Sequence, residues 1–133
     1  MLLLQRSPNV KLSLFGREWK FRRAKASYQL SQQARMAELH ARLREHQSEE
    51  SPSLSPTDIA AILDGVTREE LVGWCEALAE HLVRVGENDV EDRTTLARQF
   101  DDEFTPLNIL LVWLTWLVHT QMSDDDRGKY TEP

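Results

Sequence analysis

What this 133-residue chain has little of narrows its class first. Its one cysteine, Cys75, excludes an internal disulfide framework and a cysteine-built zinc site, and fits a reducing compartment. Its five glycines, at 16, 65, 73, 86 and 128, are scattered, so there is neither a Gly-rich phosphate loop nor a Gly-x-Ser-x-Gly elbow. The histidines, His40, His46, His81 and His119, stand too far apart to share a helical face at metal-ligand spacing, and His-Glu-x-x-His is missing. A non-enzymatic chain without metal or cofactor is the expectation. Long apolar runs are lacking too. Residues 1–4 are apolar but are broken by Gln5 and Arg6, short of a signal-peptide core. Residues 107–118 are interrupted by Asn108 and Thr115 and fall short of the ~20 residues that span a bilayer. No membrane is expected, and a cytoplasmic location is.

What is present is a polarity of charge. The chain is 41% hydrophobic and 29% charged, the composition of an ordinary soluble globular domain, and its net charge of -6 looks mild. That figure divides. Residues 1–48 hold ten Lys/Arg against three Asp/Glu, a balance of +7, and residues 49–133 hold six against nineteen, a balance of -13.

Hydropathy periods divide the chain further. Val10, Leu12 and Leu14 alternate with Lys11 and Ser13, and after Gly16 Trp19 and Phe21 alternate with polar neighbours, the pattern of a half-buried hairpin. Residues 2–4 could add a third strand. From Ala26 the period changes: Met36, Leu39 and Leu43 mark an amphipathic helix, with Leu30, Ala34, Ala37 and Ala41 in the adjoining stripe, ending near residues 45–47. A Pro/Ser-rich linker at about 48–55 leads to Ser55-Pro56 and Asp58, a helix start, and to a stop at Asp64-Gly65. Thr67 and Glu70 have capping-box spacing. Leu71, Cys75, Leu78, Leu82 and Val85 then form one helical seam as far as Gly86. Leu96 and Phe100 suggest a helix on an acidic segment, and Thr105-Pro106 opens a last helix to about Met122. The expected fold is mainly α: a small helical domain of four to five helices with a short N-terminal β-hairpin. Its parts are residues 1–25 (hairpin and basic segment), 26–122 (helical body) and 123–133 (acidic flexible tail).

Three constellations bear on partners. Lys20, Arg22, Arg23 and Lys25 cluster with Arg17 around Trp19 and Phe21, but the alternation turns rings and cations to opposite faces. The readings are core plus solvated cations, an acidic protein partner, or nucleic acid; the net negative charge disfavours the last. Residues 58–74, DIAAILDGVTREELVGW, have the outline of a helix-turn-helix, yet Asp64 is one residue too many and Glu69 and Glu70 stand where phosphates would sit. A small DNA-binding regulator is therefore the alternative function. The last helix is apolar nearly all round, through Leu110, Trp113, Trp116 and Leu117. It is either a wholly wrapped core helix, a subunit or client interface, or a membrane-surface helix, and acidic flanks disfavour the third. Opposed to the cations, Asp101, Asp102 and Glu103 complete a candidate contact surface for oligomers.

The run Val10-Lys11-Leu12-Ser13-Leu14-Phe15-Gly16-Arg17-Glu18-Trp19, followed by a helical body and an acidic end, resembles the tail assembly chaperones of long-tailed bacteriophages. The resemblance implies a small non-enzymatic protein of the infected host's cytoplasm. It would form homo-oligomers, rings or head-to-tail assemblies, coat the tape-measure protein and help recruit tail-tube subunits during tail morphogenesis. A longer frameshifted form is common in that family.

Overall fold

The structure is a computed structural model that describes residues 8–47 and 53–131, with side chains described as far as residue 121. The third strand expected at residues 2–4 and most of the linker lie outside the described residues. The hairpin forms as the alternation predicts. Strands β1 (Asn9–Leu14) and β2 (Arg17–Arg22) pair antiparallel, Val10 opposite Phe21 and Leu12 opposite Trp19, and all four side chains are buried.

The hairpin then grows in a way the periodicity misreads. Helices α1 (Ala26–His46), α2 (Pro56–Ile62) and α3 (Arg68–His81) follow, but α3 ends at His81, and strands β3 (Leu82–Val85) and β4 (Asn88–Asp89) extend the sheet to four antiparallel strands in the order β1-β2-β3-β4. Leu82 and Val85 are three apart, a helical spacing that also suits a strand carrying a bulge. Leu82 pairs with Phe21 but Arg84 with Lys20, so Val83 is the extra residue and the inward face returns at Val85 opposite Trp19. The free edge of β2 offers backbone groups that a further turn of α3 could not satisfy. Helices α4 (Arg93–Glu103) and α5 (Pro106–Thr131) complete a mixed fold, five helices and one sheet among the described residues, with the helical majority expected. The backbone of α5 stays helical to Thr131, past Met122, where its hydrophobic pattern ends.

Capping explains the helix starts. Ser55 and Asp58 form a complete capping box on α2, and Asp92 accepts from the backbone N–H groups of Thr94 and Thr95 on α4. Thr67 accepts from the Glu70 N–H on α3, but the Glu70 carboxylate receives the Arg35 guanidinium, with both N–O distances 2.8 Å. Arginines hold the other ends. Arg42 donates to the carbonyls of Ile62 and Asp64 after α2, and Arg93 to those of Ala79, Glu80 and Leu82 where α3 becomes β3. These guanidiniums satisfy terminal carbonyls and complement the negative end of the helix dipole.

The core lies between the inner sheet face and α5. Trp116 sits against Phe21, Tyr28 and His81, with ring centroids 5.8, 5.9 and 4.8 Å away, and its Nε1 donates to the Arg22 carbonyl at 2.9 Å. Trp113 stacks on Trp74 at 4.8 Å and donates to the Tyr28 hydroxyl. Sequence reasoning doubts that narrow helices could wrap α5; the sheet supplies the missing cover.

Candidate functional site

Of the residues singled out for contact, Leu110, Trp113 and Trp116 are 0% exposed and Leu117 1%. The structure corrects their assignment to an interface: in this fold they belong to the wrapped core, which was the other reading of α5. Among the described residues no helix is long and apolar enough to cross a membrane.

The cations divide. Arg22 donates to the Glu80 carbonyl, and Arg23 Nη1 to the Thr120 carbonyl at 2.6 Å, so two of the four serve the fold. Lys25 stands exposed before α1. Lys20 lies on the outer sheet face, directly between Lys11 on β1 and Arg84 on β3, and Arg84 pairs with Asp89 on β4 at 2.8 Å. Like charges directly opposite across strands destabilise a sheet. The carboxylates show a matching misfit. Asp101, Asp102 and Glu103 are exposed in the last turn of α4, at the negative end of its dipole, with no basic residue in that turn. Both placements are locally unfavourable.

The feature that sequence reasoning missed is a groove between the sheet and α4. It begins at the β1–β2 turn, which consists of Phe15 and Gly16 with φ of +54° and +72°. Two left-handed residues make the tight turn that matches strand twist, and Asn-Gly is the usual sequence for it. A side chain with a Cβ costs about 1–2 kcal/mol in that conformation, and a bulky aromatic is an outlier there. The strained backbone holds the Phe15 ring 47% exposed, edge-on to Trp19 and Phe104 at 6.4 and 6.5 Å. Trp19 and Phe100 form the floor with their rings stacked at 6.3 Å, and Phe104 meets both edge-on.

Two adjoining cavities of about 400 and 410 Å³ share Arg17, Trp19 and Phe104, and together make the groove. Val85, Val90 and Leu96 extend its apolar wall. Asp89, Glu91, Asp92 and Glu103 line its rim, opposed by Arg17. An aromatic floor under a carboxylate rim suits an apolar anchor flanked by Lys or Arg. The sequence signal that could have found it is Phe15 preceding Gly16, where turn chemistry asks for Asn.

Other candidates are absorbed by the fold. Cys75 is buried in the core, and burial, then Asp101, push its thiol up to about 11, so it stays protonated at neutral pH. His81 and His119 contact the carbonyls of Ala77 and Thr115 one turn back, and His46 pairs with Asp58 at 3.1 Å. Among the described residues no group of three His, Cys, Asp or Glu could hold a metal ion. Residues 58–74 do form two helices, α2 and α3, but α1 covers their turn: Arg35 reaches the Gly65 carbonyl and Arg42 the Asp64 carbonyl. Comparison with protein-family models, with curated proteins and with solved structures gives no match.

Proposed function

We propose that the chain is a non-enzymatic assembly chaperone of a long-tailed phage, working in the host cytoplasm, which oligomerises and binds tape-measure and tail-tube proteins. The observation that carries this reading is the open aromatic groove at Phe15. A fold that buries three tryptophans completely in its core leaves a second aromatic cluster, around Trp19, only partly covered, and holds the Phe15 ring of it outward at the cost of backbone strain. Strain of this kind is kept where it serves contact. The groove has the chemistry of a protein-docking surface, and like charges gathered on the outer sheet face and at the end of α4 favour oriented contacts between chains.

The test is co-expression of the full chain with the tape-measure and tail-tube proteins encoded beside its gene. The tape-measure protein should stay in solution and co-elute with the wild-type chain, and Phe15→Asp should release it. Neighbouring genes with no tail function, or a tape-measure protein that elutes alone, would overturn the proposal.

A further inference from the structure

Two large apolar side chains stand exposed among the described residues, Phe15 at 47% and Leu30 at 79%. Phe15 lines a hole and Leu30 is a knob. Leu30 lies on α1, with the exposed Ala26 and Ala34 one turn to either side and the polar Ser27 and Gln33 at the other neighbouring positions. On its alanine side the leucine stands clear of the helix surface.

The charges complement as well. Between Glu18 and Glu38 the chain carries Lys20, Arg22, Arg23, Lys25 and Arg35 and no carboxylate; Arg35 is paired with Glu38 and Glu70, Arg22 and Arg23 keep their charge while donating to carbonyls, and Lys25 stands exposed just before the helix that carries Leu30. The groove rim carries Glu91, Asp92 and Glu103, with Asp89 already paired to Arg84, against Arg17. Knob and hole cannot meet within one copy: Phe15 is at the turn end of β2, whereas α1 leaves from the other end of that strand, about 20 Å away at roughly 3.3 Å per residue.

We infer that Leu30 of one copy seats in the Phe15–Trp19–Phe104 groove of the next, with the acid-free segment around it against the carboxylate rim. This names the contact for the oligomerisation proposed above and rests on that reading. The two surfaces differ, so the contact is heterologous: it repeats head to tail and gives a ring where the rotation closes and a filament where it does not.

The experiment uses full-length chains carrying Leu30→Asp or Phe15→Asp, each first shown folded by circular dichroism and thermal melting, which is expected because both side chains are exposed. In sedimentation the wild type should associate. Each variant alone should sediment as a monomer, its self-affinity weakened about thirtyfold or more, as for loss of an interface anchor. An equimolar mixture should then form a dimer and nothing larger, because the Leu30→Asp chain keeps its groove and the Phe15→Asp chain keeps its knob. Variants that stay monomeric when mixed would overturn the contact, as would a Leu30→Asp chain that assembles like wild type. If Phe15→Asp assembles normally while Leu30→Asp does not, the interface is instead a symmetric pairing of α1 helices along Leu30, Ala34 and Ala37. A monomeric wild type that still captures the tape-measure protein through Phe15 would sink this inference and leave the chaperone reading standing.

Discussion

One sheet face carries two aromatic clusters with opposite fates. Around Phe21, the rings of Trp116, Trp113 and Trp74 are covered to 2% exposure or less. Around Trp19, a few ångströms along the same strand, Phe15 and Phe104 reach solvent. The difference is the helix laid on each. Helix α5 is apolar over most of its circumference and buries Ile109, Leu110, Val112, Trp113, Leu114, Trp116 and Leu117. Helix α4 fully buries Phe100, with Leu96 and Ala97 half-buried, and turns polar and charged side chains to the rest of its surroundings. The width of a helix's apolar stripe decides whether it seals a sheet or leaves a groove. The first cluster is sealed inside the fold; the second keeps Phe15 and part of Phe104 open to solvent.

The largest expected effect tests that division. Trp116→Ala removes ring contacts to Phe21, Tyr28 and His81 and the hydrogen bond to the Arg22 carbonyl. It should cost about 3–5 kcal/mol in denaturant unfolding, a large part of a small domain's stability. Phe104→Ala, on the half-buried groove wall, should cost no more than about 2 kcal/mol. Equal losses would mean that the groove is core and that the two clusters do not differ.

Within the closed cluster a finer comparison is available. Trp113 and Trp74 stack on each other, but Trp113 Nε1 donates to Tyr28 Oη at 3.0 Å, whereas Trp74 Nε1 is buried without a hydrogen-bond partner. Burial raises the Tyr28 hydroxyl's pKa, and its bond with Trp113 opposes that rise. Trp113→Phe strands the tyrosine's acceptor, while Trp74→Phe removes an unsatisfied donor. Trp113→Phe should be the more costly by about 1–2 kcal/mol in the same unfolding measurement. Near-equal values would show that the Trp74 N–H is satisfied in solution.

In the open cluster the balance between strain and contact can be read at one residue. Phe15→Asn places at φ +54° a side chain that tolerates the left-handed region, and gives up two edge-to-face contacts. The two changes oppose each other, so fold stability should move by less than about 1 kcal/mol. Self-association should nevertheless be lost in sedimentation. A drop in stability comparable to that of Trp116→Ala would make Phe15 a structural residue.

How far the sequence shows this depends on how local each determinant is. The first hairpin, α1, the start of α2 and the Thr67 cap of α3 are written in short-range signals, and they appear where those signals stand. Strands β3 and β4 are not local: Leu82 and Val85 keep a helical spacing, and only the edge of β2, some 60 residues upstream, makes them a strand with a bulge at Val83. The choice between core and interface for Trp113 and Trp116 is non-local too, since their cover comes from Phe21, Tyr28, Trp74 and His81 on three distant elements. The charge split is visible in composition, but not that Arg22, Arg23, Arg35, Arg42 and Arg93 are committed to backbone carbonyls. The groove is legible at one position, Phe15, where the turn carries the wrong residue for its backbone.

The smallest effect separates the two regions by pH. Two helix-capping carboxylates are held below the ordinary 3.8. Asp58 is lowered by the Ser55 N–H, then the Ser55 hydroxyl and His46; Asp92 is lowered by the Thr95 hydroxyl, then the N–H groups of Thr95 and Thr94. A carboxylate whose folded pKa lies below its unfolded value contributes stability that is complete above the unfolded value and is lost as pH falls through the folded one. The melting temperature should therefore be insensitive to these groups near neutrality and fall below about pH 4. Asp58→Ala and Asp92→Ala should each lower it at neutral pH and make the acid limb shallower. Only Asp92 lines the groove. Its replacement should also weaken head-to-tail association at neutral pH, while Asp58→Ala leaves association unchanged. A matched loss from both variants would mean that association senses overall helix stability rather than the carboxylate rim.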